Sequence, residues 1–153
     1  MKKSLSILTM IRFLLVHVTA MGAGTATYTI TQPQDGKSMV IAVSVSDDAS
    51  GTTATFTDST VMGYFLCSME TSPGSTAPTN DFDIYLRTAG GVDILGGAGL
   101  NLDSPTPAVA YPTIDSSTGQ KGCVPVNSAL TMSFSGNSVE TATIDINFFF
   151  ARP

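Results

Sequence analysis

Apolar and polar residues alternate with a period of two in one segment after another of this chain, and turn-forming residues separate the segments. Such segments form strands with one face on a core and the other toward solvent. Seven or eight of them follow residue 24: 27–31, 39–45, 52–57, 61–69, 82–87, 108–114, 129–134 and 141–150. No segment after residue 24 carries an apolar stripe of helical period and length. The pattern therefore predicts an all-β fold, a single β-sandwich of jelly-roll or immunoglobulin type over 25–153.

The segment 61–102 holds the clearest strand patterns. Alternation is clean over 82–87 and imperfect over 61–69, and a turn rich in proline, glycine and threonine lies between them at 73–79. This arrangement predicts a β-hairpin, followed by a glycine-rich loop around 96–99. Because glycine permits positive φ and close backbone approach, we expect the loop to fold over the hairpin edge.

The last strand ends in three consecutive phenylalanines. Isoleucines alternate with Asp145 and Asn147 until Phe148, Phe149 and Phe150 make both faces apolar. An apolar surface on both faces indicates either a central strand beneath another layer or a subunit contact through these phenylalanines. The core interpretation is favoured, and the interface interpretation stays open.

The charge distribution argues against nucleic acid as a partner. Only 12% of the 153 residues are charged, against about a quarter in ordinary soluble proteins. Lys2, Lys3 and Arg12 lie near the N-terminus, so the part from residue 21 onward carries four basic and twelve acidic groups, a net −8. A basic patch able to neutralise phosphates is not expected there. Low charge with many Thr, Ser, Gly and Ala residues is typical of secreted, surface-exposed or assembled β-proteins.

The N-terminal segment 1–24 admits two interpretations. A Lys-Lys start, an apolar run and small residues at 18–20 are typical of a cleavable secretory signal, and the run is too short for a stable membrane anchor, which needs about 20 apolar residues. Arg12 interrupts the run and counts against a signal. The alternative is a retained, extended arm that pairs with a neighbouring subunit. One face of that arm would comprise Leu5, Ile7, Ile11, Phe13 and Leu15.

The two cysteines, Cys67 and Cys123, are compatible with one disulfide if their Cα atoms lie within about 7 Å. Separate packing as small buried residues is the favoured alternative. The sequence has no CxxC pair and a single histidine, which argues against a zinc site.

No catalytic constellation is expected. A serine hydrolase would need a base, and the one histidine, His17, lies in the N-terminal segment. The glycine-rich loop lacks the Lys-Ser/Thr of a phosphate-binding loop, and a chain without tryptophan is a poor candidate for a glycosidase cleft. Four aspartates lie close in sequence, at 81, 83, 93 and 103, but without the spacing of a calcium loop. We expect Asp83 and Asp93 to accept backbone N–H groups in turns, and we expect no cofactor and no metal.

Three motifs in this chain resemble a family of small structural proteins of tailed bacteriophages. The first two are a P-G-x-x-A-P-T turn leading to a Y/F-D-I/V-x-L strand, and a G-V-D-I/V-L-G-G-x-G loop. The third is a late P-V-x-S-x-L-T-x-S-x-S-G-N pattern at 125–137, similar to that family's final hairpin. The matching residues of the first two motifs are Pro73, Gly74, Ala77, Pro78, Thr79, Phe82, Asp83, Ile84, Leu86, Gly91, Val92, Asp93, Leu95, Gly96, Gly97 and Gly99. The chain departs from the family at Asn101-Leu102, where an Asn-Arg pair is usual.

The resemblance implies a β-sandwich virion component without enzymatic activity, of the capsid decoration or accessory type. Its partners would be the major capsid protein and copies of itself, with a trimer favoured, and its location the capsid surface. A different class also fits the composition: an exported pilus or adhesin-like subunit, secreted or on the cell surface, with a cleaved signal and a Cys67–Cys123 disulfide.

Overall fold

The computed structural model describes residues 12–18, 24–48, 52–56, 59–103 and 106–153. Within these ranges the chain forms twelve strands and one 3-10 turn, Ser59–Val61. The strands are β1 (Arg12–Val18), β2 (Thr25–Gln32), β3 (Ser38–Asp48), β4 (Thr52–Phe56), β5 (Phe65–Pro73), β6 (Asp83–Thr88), β7 (Ala108–Ala110), β8 (Thr113–Asp115), β9 (Gln120–Lys121), β10 (Val124–Pro125), β11 (Leu130–Ser135) and β12 (Glu140–Ala151).

Most strands belong to one antiparallel sheet of seven. Its order is β1-β2-β3-β12-β5-β10, and β7 pairs with another part of the outer edge of β5. The C-terminal strand β12 lies between β3 and β5 and pairs with both along most of its length. This confirms the favoured interpretation of the last strand as a central one.

Three strands form a second sheet in the order β4-β11-β6, and β8 and β9 form a separate short hairpin. The hairpin predicted across 61–87 is wrong, because β5 belongs to the large sheet and β6 to the small one. The turn at 73–79 instead begins a connection between sheets. The late pattern at 125–137 contains β11, which belongs to the small sheet, whereas β12 belongs to the large one.

One hydrophobic core lies between the two sheets. The large sheet contributes alternate residues such as Ile41, Ile146 and Phe148, all fully buried. The small sheet contributes its own alternate residues, and the rings of Phe82 and Phe134 lie 5.5 Å apart. Each such side chain stabilises the fold by about 1.5–3 kcal/mol through burial. The expected all-β sandwich is thereby confirmed.

Two strand predictions are altered by local chemistry. The segment 108–114 is divided into β7 and β8 at Pro112, because proline cannot donate a ladder hydrogen bond. The segment 61–69 starts late, because Ser59–Val61 is a 3-10 turn and the strand begins at Phe65.

Part of the N-terminal segment is a strand of the same sheet. β1 runs antiparallel to β2, from Arg12 opposite Gln32 to Val18 opposite Ala26. The pairing is within one chain, whereas the arm hypothesis places this segment on a neighbouring subunit. The domain boundary at residue 24 stays a prediction. Among the residues described, no helix has the length and apolar character needed to cross a bilayer.

Candidate functional site

The glycine-rich loop that follows β6 covers the free edge of that strand. The backbone of 91–102 bonds to alternate residues of the edge: Thr88 N–H donates to Val92 O (2.9 Å), Ile94 N–H to Leu86 O (2.8 Å). The contact continues where Ile84 N–H donates to Gly99 O (2.7 Å) and Leu102 N–H to Phe82 O (3.0 Å). The loop therefore acts as an irregular outer strand, as its glycines led us to expect, although the edge belongs to β6 and not to a hairpin.

Asp93 holds the middle of this loop in place. Its Oδ1 accepts hydrogen bonds from Leu86 N–H (3.1 Å) and Leu95 N–H (3.2 Å), and its Oδ2 accepts one from Gly97 N–H (3.0 Å). The carboxylate thus replaces a carbonyl partner for a β6 amide and closes the turn at the same time. Asp83 does similar work, because its Oδ1 accepts from Asn101 N–H at 2.9 Å. The expected turn role is confirmed for Asp93. For Asp83 it is wrong, because Asp83 lies in strand β6 and accepts from a backbone N–H group 18 residues away.

Two glycines let the loop approach its neighbours closely. A Cβ on Gly99 would lie 2.2 Å from the Ile84 carbonyl oxygen, and one on Gly96 would lie 2.2 Å from the Thr113 carbonyl oxygen. Gly96 also has a φ of +60°, a conformation that other residues rarely adopt. The spacing of glycines in this motif is therefore explained by close packing of the loop backbone against the backbone at Ile84 and Thr113.

Asn137 joins the other two motifs. Its Oδ1 accepts from Thr79 N–H and Val139 N–H, each at 3.1 Å. Its Nδ2 donates to Val139 O and to the buried Asp47 carboxylate, each at 2.8 Å. The side chain thus ties the connection between β5 and β6 to the end of β11 and to β3. Sequence reasoning missed this role because the partners lie 58 and 90 residues away.

The acidic residues do not come together as a metal site within the described ranges, where no three His, Cys, Asp or Glu residues form a suitable group. Asp81 and Asp103 are exposed, and the other two carboxylates hold the loop.

The interface candidates fall in three places. Phe148 and Phe150 are buried in the core, and Phe149 is half-buried on the opposite face of the large sheet. Phe13 and Leu15 lie in β1 and pair with Thr31 and Thr29 of β2. Ile11, with Leu5 and Ile7, lies outside the described residues. Phe149 and the β1 residues stay predictions for a subunit contact.

Cys67 and Cys123 form a disulfide, with Cα atoms 4.2 Å apart. Cys67 is the extra residue of a bulge in β5, where the register with β12 shifts between Leu66 and Ser68. Cys123 is exposed and directly precedes the two-residue strand β10. The bridge therefore fixes a short edge strand to the large sheet, and the favoured alternative of two separate buried cysteines is wrong.

A shallow apolar groove of about 350 Å³ lies beside this bridge, and sequence reasoning did not find it. Val92 and Ile114 line it and are 64% and 48% exposed. Ile114 lies in β8 and Val92 in the glycine-rich loop, and the sequence pattern at neither position indicates an exposed side chain.

The comparisons with known proteins add little to this geometry. No protein-family model and no curated protein matches the sequence. Among solved structures, a chain of the cyanophage Pam1 capsid asymmetric unit is similar over 100% of both chains, with a TM-score of 0.40 and 13% identity. A similarity this weak supports no argument about function.

Proposed function

We propose that this protein is a structural component of a bacteriophage virion, a decoration protein that binds the major capsid protein on the outside of the head. The observation that carries the proposal is that the three phage-type motifs form one connected structural unit. The loop at 91–102 covers β6, and Asn137 joins the turn at 77–79 to the end of β11. Each of the three motifs that resemble the phage family is therefore hydrogen-bonded to another of the three.

The proposed role is binding and not catalysis. The aspartates and glycines of the motifs contact the backbone of neighbouring segments, so their role is to hold the sandwich in shape. A decoration protein stabilises a shell by occupying the contacts between capsomers, and such proteins act as symmetric oligomers. Self-association, with the trimer as the favoured state, is part of the proposal.

Binding to particles tests this function directly. Purified heads that lack the protein are mixed with the recombinant full chain and sedimented, and the bound fraction and the thermal stability of the heads are measured. We expect saturable binding and heads that open at a higher temperature. Protein that stays in the supernatant at all concentrations would contradict the proposal. A chain that starts at Met21 tests whether the N-terminal segment, which includes β1, contributes to this contact, because binding should then be lost.

A second candidate is an exported pilus or adhesin-like subunit, and the disulfide favours it. Disulfides persist mainly in oxidising compartments, and Cys67 and Cys123 are bonded. Peptide mass spectrometry without reduction, on purified particles and on the extracellular fraction of the native source, separates the two. An intact N-terminal peptide in particles supports the virion role. A start near Met21, found only in soluble or surface protein, supports export.

A further inference from the structure

Residues 111–125, here called the edge lobe, lie at the edge of the sandwich with little buried surface. The lobe contains β8, β9 and β10, and the structure describes all of it. Pro112 is its one buried residue, and the apolar Ile114 is 48% exposed. The shallow groove between Val92 and Ile114 is open space between the lobe and the glycine-rich loop. Burial of apolar surface therefore contributes little to holding the lobe in place.

The start of the edge lobe is attached to the sandwich by one short contact. Thr113 N–H donates to Leu95 O at 3.0 Å, next to the buried Pro112. Other hydrogen bonds are internal to the lobe: Gly122 N–H donates to Pro112 O (3.0 Å), and Lys121 Nζ donates to Thr113 Oγ1 (2.7 Å). Internal bonds keep the lobe compact, but they do not attach it to the two sheets.

The end of the edge lobe is attached by the disulfide. β10 pairs with β5 through two residues, and the second of them, Pro125, has no N–H to donate. Cys123 directly precedes this pair and is bonded to Cys67 of β5. The fully buried Val126 follows, and the sandwich resumes there. Because the pairing of β10 is so short, the covalent bond is the main attachment of the lobe to the edge of β5.

We propose that the Cys67–Cys123 disulfide is a redox-sensitive switch. Its reduction releases residues 114–125 and exposes the outer edge of β5 at Phe65 and Leu66, while the two sheets stay folded. An exposed strand edge accepts a further strand, so the oxidised chain has a protected edge at this position and the reduced chain has an open one.

The reductant of the switch is a low-molecular-weight thiol. Cys123 is exposed and Cys67 is half-buried, so the thiolate attacks the Cys123 sulfur, forms a mixed disulfide and releases the Cys67 thiolate. A second thiolate then attacks the thiol-derived sulfur and releases the Cys123 thiolate. Each cysteine takes up one proton. Two thiols thus supply two electrons and two protons, and they leave as one oxidised disulfide.

The state of the switch depends on the compartment. Thiols keep cysteines reduced in the cytosol, and disulfides persist in oxidising media. The lobe is therefore open in a chain newly made in the cytosol and closed in the same chain outside the cell. This inference does not depend on the proposed function, because the opening is measured on the isolated protein and the binding to heads is measured separately.

Digestion of the folded full chain with trypsin tests the switch, because Lys121 lies in the lobe and Arg87 in β6 of the sandwich. Oxidised protein and protein reduced with glutathione are digested, and the fragments are quantified by mass spectrometry. In the reduced protein we expect cleavage after Lys121 at least about tenfold faster than in the oxidised protein, and at least about tenfold faster than after Arg87. Equal rates at Lys121 with and without glutathione would overturn the inference, as would equal rates at Lys121 and Arg87 in the reduced protein, which would mean that the whole domain opens.

A variant without the bridge separates the effect of the switch from other effects of glutathione. The double variant Cys67→Ser, Cys123→Ser should be cleaved after Lys121 at the rate of the reduced protein, with and without glutathione. Cleavage as slow as in the oxidised protein would overturn the inference.

Amide hydrogen exchange of the unmodified chain gives a measurement that needs no substitution. On reduction we expect faster exchange at 114–125 and at Phe65 and Leu66, with β11 still protected. Slow exchange that persists at 114–125, or protection lost from β11 together with the lobe, would contradict a local switch.

Discussion

Replacement of Gly99 by alanine tests whether the loop really lies against β6 as closely as the backbone indicates. The new Cβ would lie 2.2 Å from the Ile84 carbonyl oxygen and 3.1 Å from Leu95 Cδ1. The carbonyl belongs to a strand held on its other side by β11, so the loop has to move. That movement breaks the hydrogen bond from Ile84 N–H to Gly99 O, now 2.7 Å long.

The expected cost follows from what the movement disrupts. One or two backbone hydrogen bonds at about 1 kcal/mol each are lost or weakened, and the fully buried Leu95 loses part of its packing, which costs about 1–2 kcal/mol more. Alanine lowers the entropy of the unfolded chain, which offsets about 0.4–1 kcal/mol. We therefore expect a net loss of about 2–3 kcal/mol, and for a domain of this size a Tm lower by about 5–10 °C.

The assay is thermal and urea unfolding followed by far-UV circular dichroism, with Gly90→Ala as the matched control. Gly90 lies in the same loop region, and a Cβ there would meet nothing closer than 3.8 Å. The control should unfold at the temperature of the unmodified protein or slightly above it. If Gly99→Ala unfolds together with Gly90→Ala, the close contact between the loop and β6 does not exist, and the structural explanation of the motif fails.

Three other perturbations test separate parts of the fold. Reduction of the Cys67–Cys123 bridge, which spans 56 residues, should lower the free energy of unfolding by about 4 kcal/mol; equal urea midpoints with and without reductant would contradict this. Thr141→Gly should raise stability by about 1 kcal/mol in the same assay, because Thr141 has a φ of +61° that strains a β-branched residue; a less stable variant would refute the argument. Asn137→Ala should lower the unfolding free energy by about 3 kcal/mol, because it removes a hydrogen bond to buried Asp47 and leaves backbone groups of the adjoining turns without their partner. A loss below half of that would show that the hydrogen bonds of Asn137 are dispensable.

The sequence was sufficient to predict which residues are buried in the main strands. Ile144, Ile146 and Phe148 alternate with polar residues, and all three are buried. This works because the face of a strand on which a side chain lies depends only on its position along the strand. The all-β class follows from the same pattern.

Strand partners were harder to predict than strand faces. The hairpin expected between 61–69 and 82–87 failed because alternation contains no information about which strand lies alongside. The partner is decided by distant contacts such as the bonds of Asn137, which fix the connection between the sheets. Asp93 was predictable as a turn residue, because a side chain that bonds backbone groups two to four residues away leaves a local signature. The bond of Asp83 to Asn101, 18 residues away, leaves no such signature.

The central position of β12 has a consequence for the order in which the molecule is made. β3 and β5 are synthesised before β12, and neither can complete its pairing until β12 is available. The Ser44 hydroxyl, for example, donates to the Asp145 carboxylate across 101 positions. Folding that waits for such distant pairing is slow, and incomplete chains expose unpaired strand edges. Completion of the large sheet therefore waits for β12, and loss of residues 140–151 would divide that sheet in two and not merely shorten it.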